Sequence, residues 1–169
     1  MISILNFFFH ILAFGLLSTS IFGGLIIELK IRSEKDWNQK LFVTKLYNKF
    51  NLVFIIATII LLLTGILNMM NIYGTQVDIF KIEGWLMAKI ILFAFFIING
   101  ILLGPMLVRK RTKSILQLID KKAVEINEHN IRVFGKSIIT FYLIQLILFT
   151  ILVLLSVIGS GYISKGTVT

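Results

Sequence analysis

The sequence predicts an all-α integral membrane protein. The expected architecture is an up-down bundle of four transmembrane helices, both termini outside, with two basic segments in the cytoplasm. Three observations predict it. The 169-residue chain is 57% hydrophobic with a mean hydropathy of +0.95, against roughly 45–50% apolar for a soluble domain. The excess falls in four runs, about 4–29, 50–70, 85–108 and 137–159, each near the roughly 20 residues that cross a bilayer. The charges, net +9, lie between the runs rather than on them.

Each run must be helical, because a backbone amide without a partner is too costly in lipid. The first run has no basic stretch ahead of it and no small-x-small cleavage site behind it, so it reads as a mature helix and not a signal peptide. The whole chain, 1–169, then forms one membrane domain. Its orientation follows from the connections. Lys30, Arg32, Lys35, Lys40, Lys45 and Lys49 face only Glu34 and Asp36 in the first. Arg109, Lys110, Arg111, Lys113, Lys121, Lys122, Arg132 and Lys136 outnumber Asp120, Glu125 and Glu128 in the third. The second, 71–84, carries only Lys81 with Asp78 and Glu83. Basic connections stay in the cytoplasm, which places both ends and 71–84 outside an inner (cytoplasmic) membrane. The basic residues would meet acidic lipid headgroups. They are split by apolar runs and form no nucleic-acid footprint.

Both basic segments carry apolar residues at helical spacing. Phe42, Leu46 and Phe50 recur with Trp37 and Leu41 beside them, as do Ile115, Leu118, Ile119 and Ile126. The helices are therefore expected to run on past the bilayer or along its surface. Small residues supply packing seams: Gly15, Thr19 and Gly23 in the first run, with Ser20 and Gly24 alongside, and Gly100 and Gly104 in the third. Such seams let helix backbones approach closely. They serve one bundle or a homo-oligomer; spacing does not separate the two.

An ionisable side chain at lipid depth is a functional candidate. His10 lies about six residues into the first run, roughly 9 Å deep at 1.5 Å per residue, and Lys89 about four residues past Trp85 in the third, roughly 6 Å deep. Both enter from outside, and the second and fourth runs bring Thr64, Asn68, Met69, Met70 and Ser156 to the same level. Three readings of His10 stand open: a polar residue bonded to Asn6 or a facing helix, a haem or metal ligand, or a proton carrier. Lys89 either snorkels to headgroups beside Trp85 or partners an anionic group. Glu28 is expected to pair with Lys30, Arg32 or Lys45, Asn99 to bond across helices, and His129 to be a solvated residue of the basic segment. With no cysteine, disulfides, thiolate metal sites and cysteine nucleophiles are excluded. Walker, GxSxG and HExxH motifs are absent too.

His10, Gly23-Gly24, Thr64-Gly65 and Gly84-Trp85-Leu86-Met87-Ala88-Lys89 form an ordered set. It resembles a group of small four-helix membrane proteins: the HemJ-type protoporphyrinogen IX oxidases, the CopD-like copper-resistance membrane domains and uncharacterised relatives. The set covers about the first 110 residues, and Gly-Trp-Leu-x-x-Lys is its most specific part. The resemblance implies that His10 and Lys89 carry function and bind haem b. Two stretches depart from the HemJ type. Residues 25–32 read Leu-Ile-Ile-Glu-Leu-Lys-Ile-Arg where a second histidine is usual, and 98–105 read Ile-Asn-Gly-Ile-Leu-Leu-Gly-Pro where a Tyr-His pair is frequent.

The function expected is a small bacterial inner-membrane protein with a haem-b-type redox site near its outer face. His10 would be the axial metal ligand. Lys89, the candidate catalytic cation, would hold a propionate, and electrons would pass to or from quinone. Two rivals stand beside it. One is a non-enzymatic subunit or packing partner using the Gly100/Gly104 seam. The other is transport of copper or a small solute through His10, Met69 and Met70.

Overall fold

The computed structural model describes residues 2–74, 84–121 and 124–166. The chain runs through α1 (Ile2–Ser33), α2 (Trp37–Tyr73), α3 (Gly84–Ile98), a π-helical turn (Asn99–Leu103), α4 (Gly104–Ile119) and α5 (Val124–Gly166). Four helical rods, Ile4–Ser33, Trp37–Asn71, Gly84–Ile119 and Val124–Gly159, are long and apolar enough to cross a membrane. The described residues contain no strand. Most of the connection between the second and third rods, 75–83, lies outside the described residues.

The rods outrun the bilayer at one end. The 37 residues of α2 span about 55 Å at 1.5 Å per residue, against roughly 30 Å of hydrocarbon. The excess lies where the lysines and arginines are. Trp37 and Leu41 pack there beside a small core of Ile115, Leu118 and Ile131. Phe42, Leu46 and Ile126 face outward instead. The inward stripe of α2 runs through Trp37, Leu41, Thr44 and Tyr47, one step round the helix from the Phe42–Leu46 stripe.

Short polar turns set the hairpins. Glu34 Oε1 accepts from the Lys35 and Asp36 amides at 2.9 and 3.2 Å, and Asp36 caps α2 by accepting from Asn38 N at 3.1 Å. Such caps satisfy amides that the first helical turn leaves open. Gly74, at φ 82°, closes α2 by donating to Met70 O at 2.9 Å.

α1 packs chiefly on α2, and α4 on α5; α3 lies against α5, and α2 also meets α4. The main core holds Ala13, Leu17 and Ile21 of α1, Tyr47, Phe54 and Leu61 of α2, Phe96 of α3 and Phe141, Tyr142 and Phe149 of α5. Phe7, Phe8, Leu62, Leu63 and Val157 are exposed while Glu28, Thr44, Arg111 and Gln145 are buried. That inversion suits a bundle whose solvent is lipid.

The third rod breaks its register in the middle. Pro105 has no N–H to give the preceding turn, and the helix passes through a π turn just before it. A π turn inserts a residue and disturbs the carbonyl ladder. Gln145, 1% exposed, donates from Nε2 to the Phe96 carbonyl at 3.2 Å. Asn99, expected to bond across helices, leaves its Nδ2 buried and unpaired among the described residues.

The glycines show which seams close inside the chain. A Cβ on Gly100 would collide with the Phe54 ring, and one on Gly104 would come within 2.9 Å of the Phe141 ring. Gly24 has no room beside Tyr142, and Gly159 none beside Trp85. Gly23 is looser, 3.7 Å from Phe50, and Gly15 meets nothing within 4 Å. Thr19 is exposed and bonds its own helix, at the Gly15 carbonyl, at 2.9 Å. Gly100→Ala should therefore destabilise the bundle by about 1–3 kcal/mol of overpacking and lower its thermal midpoint in detergent, while Gly15→Ala should not. Equal midpoints for the two variants would contradict this packing.

Candidate functional site

Near the ends of the rods furthest from the basic segments, α1 and α2 meet through polar side chains. Asn6 is buried; its Nδ2 donates to Asn68 Oδ1 at 2.6 Å and reaches the Thr64 carbonyl at 3.3 Å. One turn on, His10 Nδ1 lies 2.7 Å from Thr64 Oγ1. Asn6 thus ties to α2 and not to His10. Thr64 serves both residues, through its carbonyl and its hydroxyl.

The Thr64 hydroxyl bears on the imidazole's tautomer. Its one proton has three acceptors in reach: the Ile60 carbonyl at 2.7 Å, the Leu61 carbonyl at 3.3 Å and His10 Nδ1 at 2.7 Å. Given to Ile60, it leaves the hydroxyl to accept from His10, and neutral His10 then carries its proton on Nδ1. Nε2 keeps its lone pair and has no hydrogen-bond partner among the described residues. The ring is half-buried. Gly65 stands beside it, where a Cβ would lie 4.0 Å from His10 Cε1. Lys89 of α3, also half-buried, lies within electrostatic reach of the ring. His10, Thr64, Asn6 and Asn68 therefore form one hydrogen-bonded group across α1 and α2, with the Lys89 charge of α3 acting on the ring. Met69 is half-buried and Met70 exposed; Ser156 bonds its own helix, at Leu152 O, at 2.8 Å. Among the described residues, no three of His, Cys, Asp or Glu gather as a metal site. His129 is exposed on α5.

The opposite end holds a pair that the sequence reading did not assemble. Glu28 of α1 and Arg111 of α4 are 0% and 1% exposed, and Arg111 Nη1 donates to Glu28 Oε2 at 2.5 Å. Lys30, one of the partners expected for Glu28, reaches Glu34 at 3.8 Å on the surface. Tyr47 and Tyr142 hydrogen-bond through their hydroxyls in the same layer. Among the described residues, Glu28 Oε1 and Arg111 Nε and Nη2 have no partner. Only one signal in the sequence marked the pair: an acid and a base each at a core-facing helical position.

Residues 4–158 match the model of a family described as "Predicted integral membrane protein (DUF2269)". No curated protein and no solved structure matches the chain.

Donation from Thr64 to Ile60 implies a tautomer that can be read directly. The chain has two histidines, so a His129→Gln protein labelled with 15N-histidine reports His10 alone. Its neutral form should show Nδ1 protonated, and Thr64→Val should shift population to the Nε2–H form. A predominantly Nε2–H ring in the unmodified site would contradict the hydrogen-bond assignment.

Proposed function

The chain belongs to that family of integral membrane proteins, and from this premise we propose that it is a bacterial inner-membrane protein holding a haem-b-type redox group on His10 near the outer face. The observation that carries the reading is the 2.7 Å contact between His10 Nδ1 and Thr64 Oγ1, which leaves Nε2 without a hydrogen-bond partner among the described residues. Metal-ligating histidines characteristically donate their second ring N–H to a fixed acceptor, which sets orientation and raises basicity. A bare metal ion needs several protein ligands, whereas a porphyrin brings four nitrogens of its own and needs one imidazole. The lone available imidazole fits the second requirement. The resemblance of His10, Thr64-Gly65 and Gly84–Lys89 to the HemJ-type and CopD-like proteins supports the same reading.

The residues divide the work. His10 Nε2 would hold the haem iron, Thr64 and Asn6 would hold the ring's wall of α2 in place, and Lys89 would bind an acidic side group. When bound, haem b supplies one-electron chemistry, here with the quinone pool. The basic segments would face the cytoplasm, which puts His10 on the outer side.

The test is a visible spectrum of the detergent-purified protein, oxidised and dithionite-reduced, after expression with ample haem. The expected result is a Soret band that shifts on reduction, disappears in His10→Ala and persists with altered position in Thr64→Val. A colourless protein, or full haem retention in His10→Ala, would refute the assignment.

A further inference from the structure

The Glu28–Arg111 pair does not sit in closed packing. Beside it lies a cavity of about 230 Å³ whose walls include Glu28, Arg32, Lys40, Arg111, Arg132 and Lys136. We propose that this cavity, at the basic end of the bundle, binds a phosphate group. The phosphate would be carried by an anionic phospholipid headgroup or be free inorganic phosphate. The site lies at the other end of the rods from His10 and is independent of the haem reading.

Charge is the first argument. Five cations meet one carboxylate on the wall. Arg111 is paired with Glu28, and Arg132 leans on Glu128 at 3.8 Å. Arg32, Lys40 and Lys136 form no ion pair among the described residues. Lys40 instead lies 4.5 Å over the Trp37 ring. Such a concentration of like charge in a concave wall attracts an anion. Water alone would hydrogen-bond these groups without balancing them.

The second argument is geometric and independent. Arg111 gives Nη1 to Glu28, and its Nε and Nη2 remain buried and unpaired among the described residues. Those two nitrogens form the side edge of the guanidinium, a pair of parallel N–H donors. That fork matches two oxygens of one phosphate. Leaving it empty costs the desolvation of buried donors. Glu28 holds the other edge and so orients the fork.

Size narrows the ligand. Pockets that enclose drug-sized molecules run to about 300–1,000 Å³. This one is smaller and suits a phosphate or a compact headgroup, not a nucleotide. Gly135 keeps it open: a Cβ there would stand 3.6 Å from Arg32 Nε and 3.7 Å from Glu28 Oε1, so a longer side chain at 135 would enter the cavity.

The full chain, in an uncharged detergent, is titrated calorimetrically with inorganic phosphate and separately with dihexanoyl phosphatidic acid. Dihexanoyl phosphatidylcholine serves as the zwitterionic control. Two variants accompany it. Arg32→Gln/Lys136→Gln removes exposed wall charges, and Gly135→Leu fills the space without changing charge. Saturable binding of either anionic probe, weakened about tenfold or more in both variants, supports the proposal. Binding by phosphatidic acid alone assigns the lipid source, and binding by inorganic phosphate assigns the free ion. If Gly135→Leu loses native helicity, the charge variant decides. Binding of neither anionic probe, equal binding of phosphatidylcholine, or binding unchanged in Arg32→Gln/Lys136→Gln overturns it.

Discussion

The bundle depends on a buried layer of polar side chains at its basic end. Glu28 of α1 bonds Arg111 of α4, and Tyr47 of α2 bonds Tyr142 of α5. Each rod thus sends one polar group into the same layer. In lipid, apolar packing supplies little preference for one helix face over another, because lipid tails are as apolar as leucine. A carboxylate and a guanidinium do have a strong preference, since neither tolerates hydrocarbon unpaired. Turning Glu28 inward also turns Ala13, Leu17, Ile21, Gly24 and Ile31 inward, all of them buried. Turning Arg111 inward does the same for Gly104, Val108, Ser114, Ile115 and Leu118. The pair therefore sets the rotation of two rods that otherwise pack mainly on other partners, α1 on α2 and α4 on α5.

The same helix carries the second polar group. His10 precedes Glu28 by eighteen residues of α1, about 27 Å at 1.5 Å per residue, close to the roughly 30 Å of a bilayer's hydrocarbon core. One rod thus ties an imidazole near one face to an ion pair near the other. At the His10 end the bonds are neutral and local to α1 and α2, and one ring nitrogen stays available. At the Glu28 end they are charged and link α1 to α4. A site that binds through a lone pair needs the first arrangement; a site that gathers cations needs the second.

The four rods were legible because long apolar runs leave helix as the only spanning structure, and the helical spacing around Trp37 and Leu41 disclosed their extension past the bilayer. The His10 group was legible in part. Depth counting brought His10, Lys89, Thr64 and Asn68 to one level, but not the Thr64 relay, since which side chains touch depends on helix rotation. Glu28's partner was out of reach for a related reason. Lys30 and Arg32 are its neighbours in sequence, whereas Arg111 is 83 positions away and becomes a neighbour only when α1 and α4 turn their inner faces to each other. The π turn before Pro105 was also hidden: the proline shows that the helix is disturbed, not how Gln145 of another rod repairs it.

The most direct measurement is a double-mutant cycle on Glu28 and Arg111, with unfolding followed reversibly in detergent. Glu28→Gln and Arg111→Gln should each cost about 3–5 kcal/mol, because each strands a buried charge. The double variant should cost clearly less than their sum, because the second change removes the charge the first left alone. Small losses that simply add would mean the two side chains do not meet, and the layer that orients the bundle would have to lie elsewhere.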